Sequence, residues 1–339
     1  MKGCSGMKGF DAEFRDLDHY IRVITDRIWE GRQVNDIRRY YGEGCAVETP
    51  SSVSLGIEPV IAGTWATLAQ FPDRRLLAED VIISGDEHGG FLSSHRIASP
   101  MTHAGPGAFG APTGKPVFAR TVADCVCVDN RIVHEWLVRD QAAIARQIGL
   151  HERELAQAWL DERGGFSKPA MPVAPAPYRS FVDDHPLAQA YAATSRRLWD
   201  APAQAQAALS TTHDPAVITA IPGGEMRVGW GALAGFWAEL GSALQAQQIE
   251  IEHLVAQERP GRATALAMRW RAHTVHAGDG RYGLATGRPV EVLGISHAEI
   301  VAGHVVREWH LIDDVAVWMQ VLTPNSGAGS TGTAAAAKN

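Results

Sequence analysis

The spacing of apolar residues divides the first 150 positions into helices followed by strands. Over residues 11–41 apolar side chains recur every three or four positions, which predicts an amphipathic helix. A second, shorter helix is predicted over residues 57–70. Apolar runs bounded by turn residues then predict strands near 76–84, 91–99, 117–128 and 131–140.

Turn and cap residues complete this pattern. Asp129-Asn130 predicts a tight turn between the last two strands. Asp140 precedes a short predicted helix that ends at Gly149, a common C-terminal glycine. Helices followed by antiparallel strands indicate an α+β fold. We expect a curved antiparallel sheet wrapped around its N-terminal helices, with a pocket at the open end.

The same pattern occurs twice in the chain. HAGPGAFGAPTGKPV at 103–117 returns as HAGDGRYGLATGRPV at 276–290, an offset of 173 residues. Without gaps, residues 95–140 share 15 identities in 46 positions with the segment 173 residues later. A constant offset over this length indicates duplication of a whole domain. In the second copy, Ala302-Gly303 takes the place of the tight turn.

The repeat predicts the domain organisation. We assign one domain to residues 11–150 and a second to residues 183–322. Residues 151–182 are predicted to be a helical extension and a proline-rich, semi-rigid linker, and residues 323–339 a disordered tail.

The glycine-rich stretch contains GPGAFG, which formally matches the GxGxxG phosphate-binding pattern. That pattern binds dinucleotides where it follows a strand and begins a helix. Here a strand follows, so we interpret the stretch as a long connection between antiparallel strands.

Composition excludes several classes of protein. The net charge is −7, without the basic face that nucleic acid requires, and no apolar run reaches the roughly 20 residues of a membrane helix. We therefore expect no nucleic-acid or membrane partner and a cytoplasmic protein. The four cysteines include a Cys125-x-Cys127 pair, which we interpret as buried structural cysteines rather than a metal site.

The repeated motifs resemble the SnoaL-like polyketide cyclases, also called ester cyclases, of the nuclear transport factor 2-like superfamily. The resemblance is carried by His103-Ala104-Gly105, Phe109-Gly110, Pro112-Thr113-Gly114-Lys115 and Ile132-Val133-x-Glu135-Trp136-x-x-x-Asp140, and in the second copy by His276, Gly278, Tyr282-Gly283, Thr286-Gly287-Arg288, Glu308-Trp309 and Asp313. It implies two tandem cone-shaped α+β barrels, each with a pocket inside the cone and without a cofactor or a metal. Founding members of the family close a ring by intramolecular aldol condensation. The superfamily also contains isomerases, dehydratases, epoxide hydrolases and binding modules.

The resemblance implies that Asp140 and Asp313 are general acid/base residues. Each lies four positions after a tryptophan, Trp136 or Trp309, and a carboxylate beside an indole in a closed cone would have a raised pKa. The alternative is a helix N-cap, since each aspartate lies where a strand passes into a helix. We expect both carboxylates to point into their own cones.

Four further side chains are candidates, each with a structural alternative. His103 and His276 could polarise a carbonyl or relay a proton, or they could fix the turn. Arg96 and Arg269 could bind an acidic or enolate oxygen, or they could pair with Glu135 and Glu308 on the sheet.

The two copies differ in charge at one matching position. The tight turns place Asp124 opposite Glu135 and His297 opposite Glu308, which gives a carboxylate pair in one copy and a His–Glu pair in the other. His297 is therefore another candidate catalytic residue, and we expect only one cone to be active. Six of the ten tryptophans lie in the second copy, where they either line a pocket for a planar ligand or pack a core.

These observations predict a cofactor-free acid/base enzyme that acts on a small or medium-sized organic molecule. A non-catalytic binding module and a hydrolase with an aspartate-activated water are the alternatives. A pocket acid with a raised pKa would favour an enzyme, and a second carboxylate or an arginine beside it would favour hydrolysis. We expect the two cones to pack sheet to sheet as an intramolecular pseudo-dimer, and a further homodimer is compatible with this arrangement.

Overall fold

The computed structural model of this protein describes residues 7–86, 88, 90–174 and 181–323. In the first half, a π-helical turn at Asp26–Glu30 and a 3-10 turn at Val34–Asp36 connect the first two helices. The elements of this half are α1 Leu17–Thr25, α2 Ile37–Tyr40, β1 Tyr41–Thr49, β2 Ser52–Leu55, α3 Ile57–Gln70, β3 Leu77–Asp86, β4 Gly90–Thr102, β5 Pro116–Val128, β6 Arg131–Arg139, α4 Gln141–Ile148 and α5 Glu152–Arg163.

The second half repeats this order after a short strand. A 3-10 turn at Pro202–Gln204 lies between its first two helices. Its elements are β7 Phe181–Val182, α6 Pro186–Asp200, α7 Ala205–Leu209, β8 His213–Ile221, β9 Glu225–Val228, α8 Gly229–Ala243, β10 Leu244–Gln257, β11 Thr264–His276, β12 Pro289–Val301, β13 His304–Leu311 and α9 Asp314–Leu322.

The two sheets have matching strand orders. The first sheet runs β2-β1-β6-β5-β4-β3, and the second runs β9-β8-β13-β12-β11-β10, with β7 added at the edge. In each half, helices cover one face of the sheet. The α+β class is confirmed. In the part of the chain that the structure describes, both sheets are open rather than closed barrels.

Two details of the predicted sheet are wrong. The sequence pattern does not predict strands β1 and β2, and the long helix predicted over residues 11–41 is broken into short pieces before β1 begins at Tyr41. The sheets are also mixed, because β1 pairs with β6, and β8 with β13, in parallel. The glycines at positions 42 and 44 interrupt the apolar pattern of β1, so its sequence resembles a loop.

The later elements agree with the sequence pattern. Helix α3 has the predicted bounds, and strands β3 to β6 lie within a few residues of theirs. Asp129 and Asn130 have φ values of 46° and 65°, as a tight hairpin turn requires, and Gly149 ends α4 with a φ of 96°.

The glycine-rich segment joins β4 to β5 as an ordered loop over the end of α3. A Cβ at Gly105 would lie 1.9 Å from the carbonyl oxygen of Ala69, and one at Gly278 would lie 1.8 Å from that of Ser242. Close approach of two backbones therefore explains these two glycines.

The uncovered faces of the two sheets pack against each other. Val122, Trp136 and Val138 of the first half form one buried cluster with Leu293 and Ile295 of the second. Helix α5, within the predicted segment 151–182, packs against α9. Residues 175–180 of that segment and residues 324–339 of the predicted tail lie outside the described residues. No helix in the described ranges is long and apolar enough to cross a membrane.

Candidate active site

A cavity of about 590 Å³ lies between the sheet and the helices of the first half. Residues of α1 and α3 form one wall, and inward residues of β4, β5 and β6 form the other. The exposed loop residues 106–108 and helix α5, with Trp159 and the exposed Arg163, lie at its edge. Most of the wall is apolar, so the few polar side chains in it define its chemistry.

Strand alternation decides which side chains reach the cavity. Glu135, Leu137 and Arg139 of β6 line it, whereas Trp136 and Val138 lie in the cluster between the two sheets. On β5 and β4, the residues that line the cavity are Thr121, Ala123, Cys125, His95 and Ile97.

Glu135 is the buried acid of this cavity. Its side chain lies beside Tyr41, whose hydroxyl donates a hydrogen bond to Oε2 over 3.2 Å. Burial raises the pKa of Glu135 from 4.5 to about 7, and the bond from Tyr41 and the charge of Arg139 oppose the rise. A carboxyl group with this pKa exists in both protonation states near neutral pH, as proton transfer requires.

Besides Arg163 at the edge, Arg74 and Arg139 line the cavity, and neither of these two forms an ion pair within 4.0 Å with a described residue. Arg74 is 2% exposed, stacks on Trp29 at 4.9 Å and contacts the Ser99 hydroxyl through Nε and Nη2. Its Nη1 and the Nε of Arg139 are buried without a hydrogen-bond partner among the described residues.

His95 also lies in this wall. Burial, together with the charges of Arg22 and Arg96, lowers its pKa from 6.5 to about 3, so the ring is neutral at physiological pH. Its Nε2 has no hydrogen-bond partner in the described part of the chain. Sequence reasoning missed Tyr41, Arg74, His95 and Arg139. For Arg139 a signal existed, because it lies four residues after Glu135 and therefore on the same face of the strand.

Asp140 and Asp313 do not lie in their own cones, so that expectation is wrong. Asp140 caps α4 through Ala143 and also accepts hydrogen bonds of 2.9–3.0 Å from the backbone N–H groups of Gly223 and Gly224 in the other half. Asp140 lies four residues after Trp136 and therefore on the same face of the strand, the one that packs against the second half.

Asp313 lines the cavity of the first half rather than its own cone. Its Oδ1 caps α9 through the N–H groups of Val315 and Ala316. Burial raises the pKa of Asp313 to about 8 and that of Asp140 to about 6. Both aspartates are thus helix caps, and Asp313 also reaches the cavity.

The corresponding space in the second half is filled by side chains. Its remaining void is about 10 Å³, between Trp199, Trp237, Trp270, Met268 and His310, among others. At the 173-residue offset, Trp237 corresponds to Thr64 and Trp270 to Ile97. Gly294 accommodates the second indole, because a Cβ there would lie 2.2 Å from Trp270. Trp199, Trp237 and Trp270 therefore pack the core of the second half.

Glu308, the counterpart of Glu135, is fixed by hydrogen bonds and charges in this filled core. It accepts a short hydrogen bond from Tyr191, and its carboxylate lies 3.0 Å from Nε2 of His310 and 3.5 Å from Nε2 of His213. Burial favours the neutral acid, but the charges of these two histidines outweigh it and lower the pKa of Glu308. The same residue type thus has opposite pKa shifts in the two halves.

Arg96, Arg269, Trp136 and Trp309 lie between the two sheets and line neither described cavity. The guanidinium of Arg96 stacks on Trp309, and that of Arg269 stacks on Trp136, each at 3.5 Å from the ring centre. Arg96 pairs with Glu79, and Arg269 pairs with Glu252 and Asp124, so neither arginine pairs with the predicted Glu135 or Glu308.

Asp124 and His297 also lie at this interface, and their predicted cross-strand partners are wrong by one residue. Asp124 pairs with Trp136, and His297 with Trp309, so Glu135 and Glu308 point to the opposite face. The register shift between Val126 and Cys127 causes this difference in the first half.

The interface contacts of these two residues cross between the halves. Asp124 accepts from Arg269 over 2.8 Å and contacts His253 over 3.0 Å. His297 contacts the Ser94 hydroxyl through Nε2 over 2.8 Å and Arg96 through Nδ1 over 3.2 Å.

His103 and His276 fix the glycine-rich loops. Nδ1 of His103 lies 3.2 Å from the Thr113 hydroxyl, and Nδ1 of His276 lies 3.0 Å from that of Thr286. Burial lowers the pKa of both histidines. Neither lines a described cavity. Three cysteines are buried and free, and the described residues include no group of three metal-ligating side chains.

Residues 20–148 match the family model described as SnoaL-like polyketide cyclase. This segment, which contains the cavity strands β4–β6 and Glu135, is therefore similar to SnoaL-like domains. The predicted resemblance is confirmed here, while for residues 183–322 it stays a prediction. No curated protein sequence matches the chain significantly.

Several solved structures are similar to part of the chain. A candidate polyketide cyclase of Streptomyces antibioticus, IdmH, is 20% identical over 39% of this chain and 96% of its own, with a TM-score of 0.34. A candidate hydroxylase of Streptomyces galilaeus, AclR, is 18% identical over 38% of this chain and 92% of its own, with a TM-score of 0.34. A candidate SnoaL-like polyketide cyclase of Jannaschia sp. CCS1 is 17% identical over 42% of this chain and 98% of its own, with a TM-score of 0.35.

Proposed function

We propose that the first half of this protein is a cofactor-independent acid/base enzyme that acts on a small or medium-sized organic molecule in the cavity beside Glu135. The proposed chemistry is removal and return of a proton at an acidic C–H, which leads to cyclisation, isomerisation or elimination. The observation that carries it is Glu135, a buried carboxyl group with a pKa of about 7 in a largely apolar cavity of about 590 Å³.

In this mechanism, the ionised Glu135 accepts the proton from the substrate carbon. The Tyr41 hydroxyl, 3.2 Å from Oε2, orients the carboxylate. The apolar wall excludes water, and the unpaired N–H groups of Arg74 and Arg139 make it favourable for a negatively charged group of the substrate. Protonated Glu135 then returns the proton at the new position.

Asp313 is the second acid/base candidate in this proposal. It lines the same cavity, and its pKa of about 8 makes it a proton donor at neutral pH. The proposal assigns no proton transfer to Asp140, His103, His276 or His297, because they do not line either described cavity. The second half would act as a structural partner, since its core is filled.

Hydrolysis is the second candidate function. A second carboxyl group, Asp313, and an arginine, Arg139, line the cavity together with Glu135. Such a set could activate a water molecule and stabilise the oxyanion of an ester, a lactone or an epoxide.

The test measures proton transfer on model substrates that contain an acidic C–H. Aryl 1,3-diketones and aryl acetoacetates are incubated with the protein in D₂O, and C–H/C–D exchange is followed by NMR; aryl lactones and epoxides are assayed for ring opening. We expect the wild-type protein to accelerate one of these reactions. Glu135→Gln should lower that rate by roughly 10²-fold or more, the usual contribution of a positioned base.

Glu308→Gln is the matched control, because it changes the counterpart residue in the filled core. It should retain the rate, provided that unfolding experiments show a folded protein at the assay temperature. Full activity of Glu135→Gln would contradict the proposal. Ring opening of the lactones or epoxides without C–H exchange would favour the hydrolase function over the proton-transfer function.

A further inference from the structure

Arg74 is a buried cation in the cavity wall that forms no ion pair with a described residue. Its side chain is almost fully buried, and its only hydrogen-bond partner among the described residues is the neutral Ser99 hydroxyl. The nearby Glu30 pairs instead with Arg75 over 3.5 Å and accepts from the N–H of Leu76. Buried charges are normally paired, so Arg74 lacks a counter-ion within the described part of the chain.

Arg139 contributes a second guanidinium to the same cavity. Its buried Nε has no partner among the described residues, and Glu135 and Asp313 lie beyond ion-pair distance although they line the same space. Burial and the charge of Arg139 lower the pKa of Arg74, and the charge of Glu30 opposes them, so the two guanidinium groups lie close enough to repel each other. Two like charges held in an apolar wall favour an anion between or beside them.

The filled second half lacks both cations. At the 173-residue offset, Gln247 corresponds to Arg74 and Ile312 to Arg139. The arginines therefore occur in the half that has a cavity and are absent from the half that does not. The duplicated fold itself does not require them at these positions.

Building on the acid/base function above, we propose that this cavity selects an apolar molecule that carries a carboxylate, and that the carboxylate binds to Arg74 and Arg139. The planar guanidinium presents N–H donors in a fork that matches a carboxylate. The apolar lining, including Ile24, Ile97 and Phe109, would receive the hydrocarbon body.

The experiment compares three probes that share one ring system. Binding of 2-naphthoate, 2-naphthamide and 2-naphthyl phosphate to the full chain is measured by calorimetry at pH 7.5. We expect 2-naphthoate to bind at least about 10-fold more tightly than the amide, the effect of one charge-assisted hydrogen-bonded pair. The variants Arg74→Gln and Arg139→Ile introduce the residues found at the corresponding positions of the second half. Each should reduce the ratio of the affinity for 2-naphthoate to the affinity for 2-naphthamide toward one.

The neutral probe separates loss of the anion site from loss of the fold. Each variant should bind 2-naphthamide as the wild type does, and Arg131→Gln, an exposed arginine that does not line the cavity, should leave the ratio unchanged. Equal affinity of the wild type for the acid and the amide would overturn the carboxylate inference but leave the acid/base proposal intact. Tighter binding of the phosphate would also overturn it, in favour of a phosphate ester. Absence of binding by all three probes would contradict the carboxylate inference, and the C–H/C–D exchange assay with Glu135→Gln would decide the acid/base proposal separately.

Discussion

At the scale of single residues, Glu135 and Glu308 differ in their surroundings rather than in their chemistry. Burial without a close cation raises the pKa of Glu135, whereas two histidines lower that of Glu308. A carboxyl group with a raised pKa in the folded state binds its proton more tightly there than in the unfolded chain. Its contribution to stability is full below pH 4.5 and is lost as the pH rises through about 7.

Glu135→Gln should therefore change how stability depends on pH. Between pH 5 and pH 8 the wild type should lose on the order of 2 kcal/mol of unfolding free energy through this residue, and the variant should not. Urea denaturation at both pH values measures the difference. Glu308→Gln should lose as much stability between pH 5 and pH 8 as the wild type does, because the stabilising contribution of a carboxylate with a lowered pKa is already full above pH 4.5 and is lost only in acid. Parallel pH profiles for wild type and Glu135→Gln would contradict the raised pKa.

The two motif aspartates should respond differently to Asn substitution. Asp140 uses both oxygens as acceptors, and Oδ2 faces the N–H groups of Gly223 and Gly224, so an amide placed there meets two donors. Asp140→Asn should cost about 1–3 kcal/mol of stability. Asp313→Asn keeps the one capping oxygen and should stay within about 1 kcal/mol of the wild type. Thermal denaturation of both variants tests this contrast. Equal losses of stability would show that the hydrogen bonds from Gly223 and Gly224 to Asp140 do not stabilise the protein.

At the scale of secondary-structure elements, the same strands surround an open cavity in one half and a filled core in the other. The cross-strand pair Ile97–Thr121 corresponds to the pair Trp270–Gly294. The indole of Trp270 is accommodated because the opposite residue has no side chain. Two substitutions on neighbouring strands thus account for part of the difference in volume.

The double variant Ile97→Trp with Thr121→Gly should fill the first cavity in the same way. We expect it to fold and to bind 2-naphthamide at least about 10-fold more weakly, because the indole occupies the space of the ligand. Calorimetry measures the affinity, and Thr121→Gly alone is the control for loss of the threonine side chain. Unchanged ligand affinity in the double variant would place the binding site outside this cavity.

At the scale of the whole molecule, the interface between the sheets is close to symmetric except at its centre. Arg96 and Arg269 make equivalent stacking and ion-pair contacts on either side. Only Arg269 also pairs with a fully buried carboxylate, Asp124, while Arg96 contacts the neutral His297. Charges of the histidine and the arginine outweigh burial and lower the pKa of Asp124, so it is ionised at neutral pH.

Removal of the two arginines should therefore have unequal effects. Arg269→Met leaves Asp124 buried beside His253 without its guanidinium partner, and should destabilise the protein by about 3–5 kcal/mol. Arg96→Met leaves the neutral His297 and a partly exposed Glu79 that still pairs with Arg120. This variant should therefore lose clearly less unfolding free energy than Arg269→Met. Urea denaturation gives both values. Equal losses would show that stacking on the two tryptophans, rather than the buried charge, dominates this interface.

The sequence by itself determined the elements whose signals are local. Helix α3, strands β3 to β6, the turn at Asp129-Asn130 and the end of α4 at Gly149 follow from apolar periodicity and from residues that prefer particular φ values. It also determined the repeat, the α+β class and the SnoaL-like character of residues 20–148. Strands β1 and β2 lack a local signal, because their pairing with β6 and with each other forms only in the folded sheet.

Only the tertiary structure decided which face of each strand carries the chemistry. Alternation separates Glu135 and Arg139 from Trp136 and Asp140, but both faces of β6 are largely buried, one against helices and the other against the second sheet. A sequence pattern cannot distinguish two buried faces, and a register shift of one residue moved Asp124 away from Glu135. The cavity and its unpaired arginines depend on contacts between distant segments of the first half, and the position of Asp313 depends on the packing of the two halves against each other.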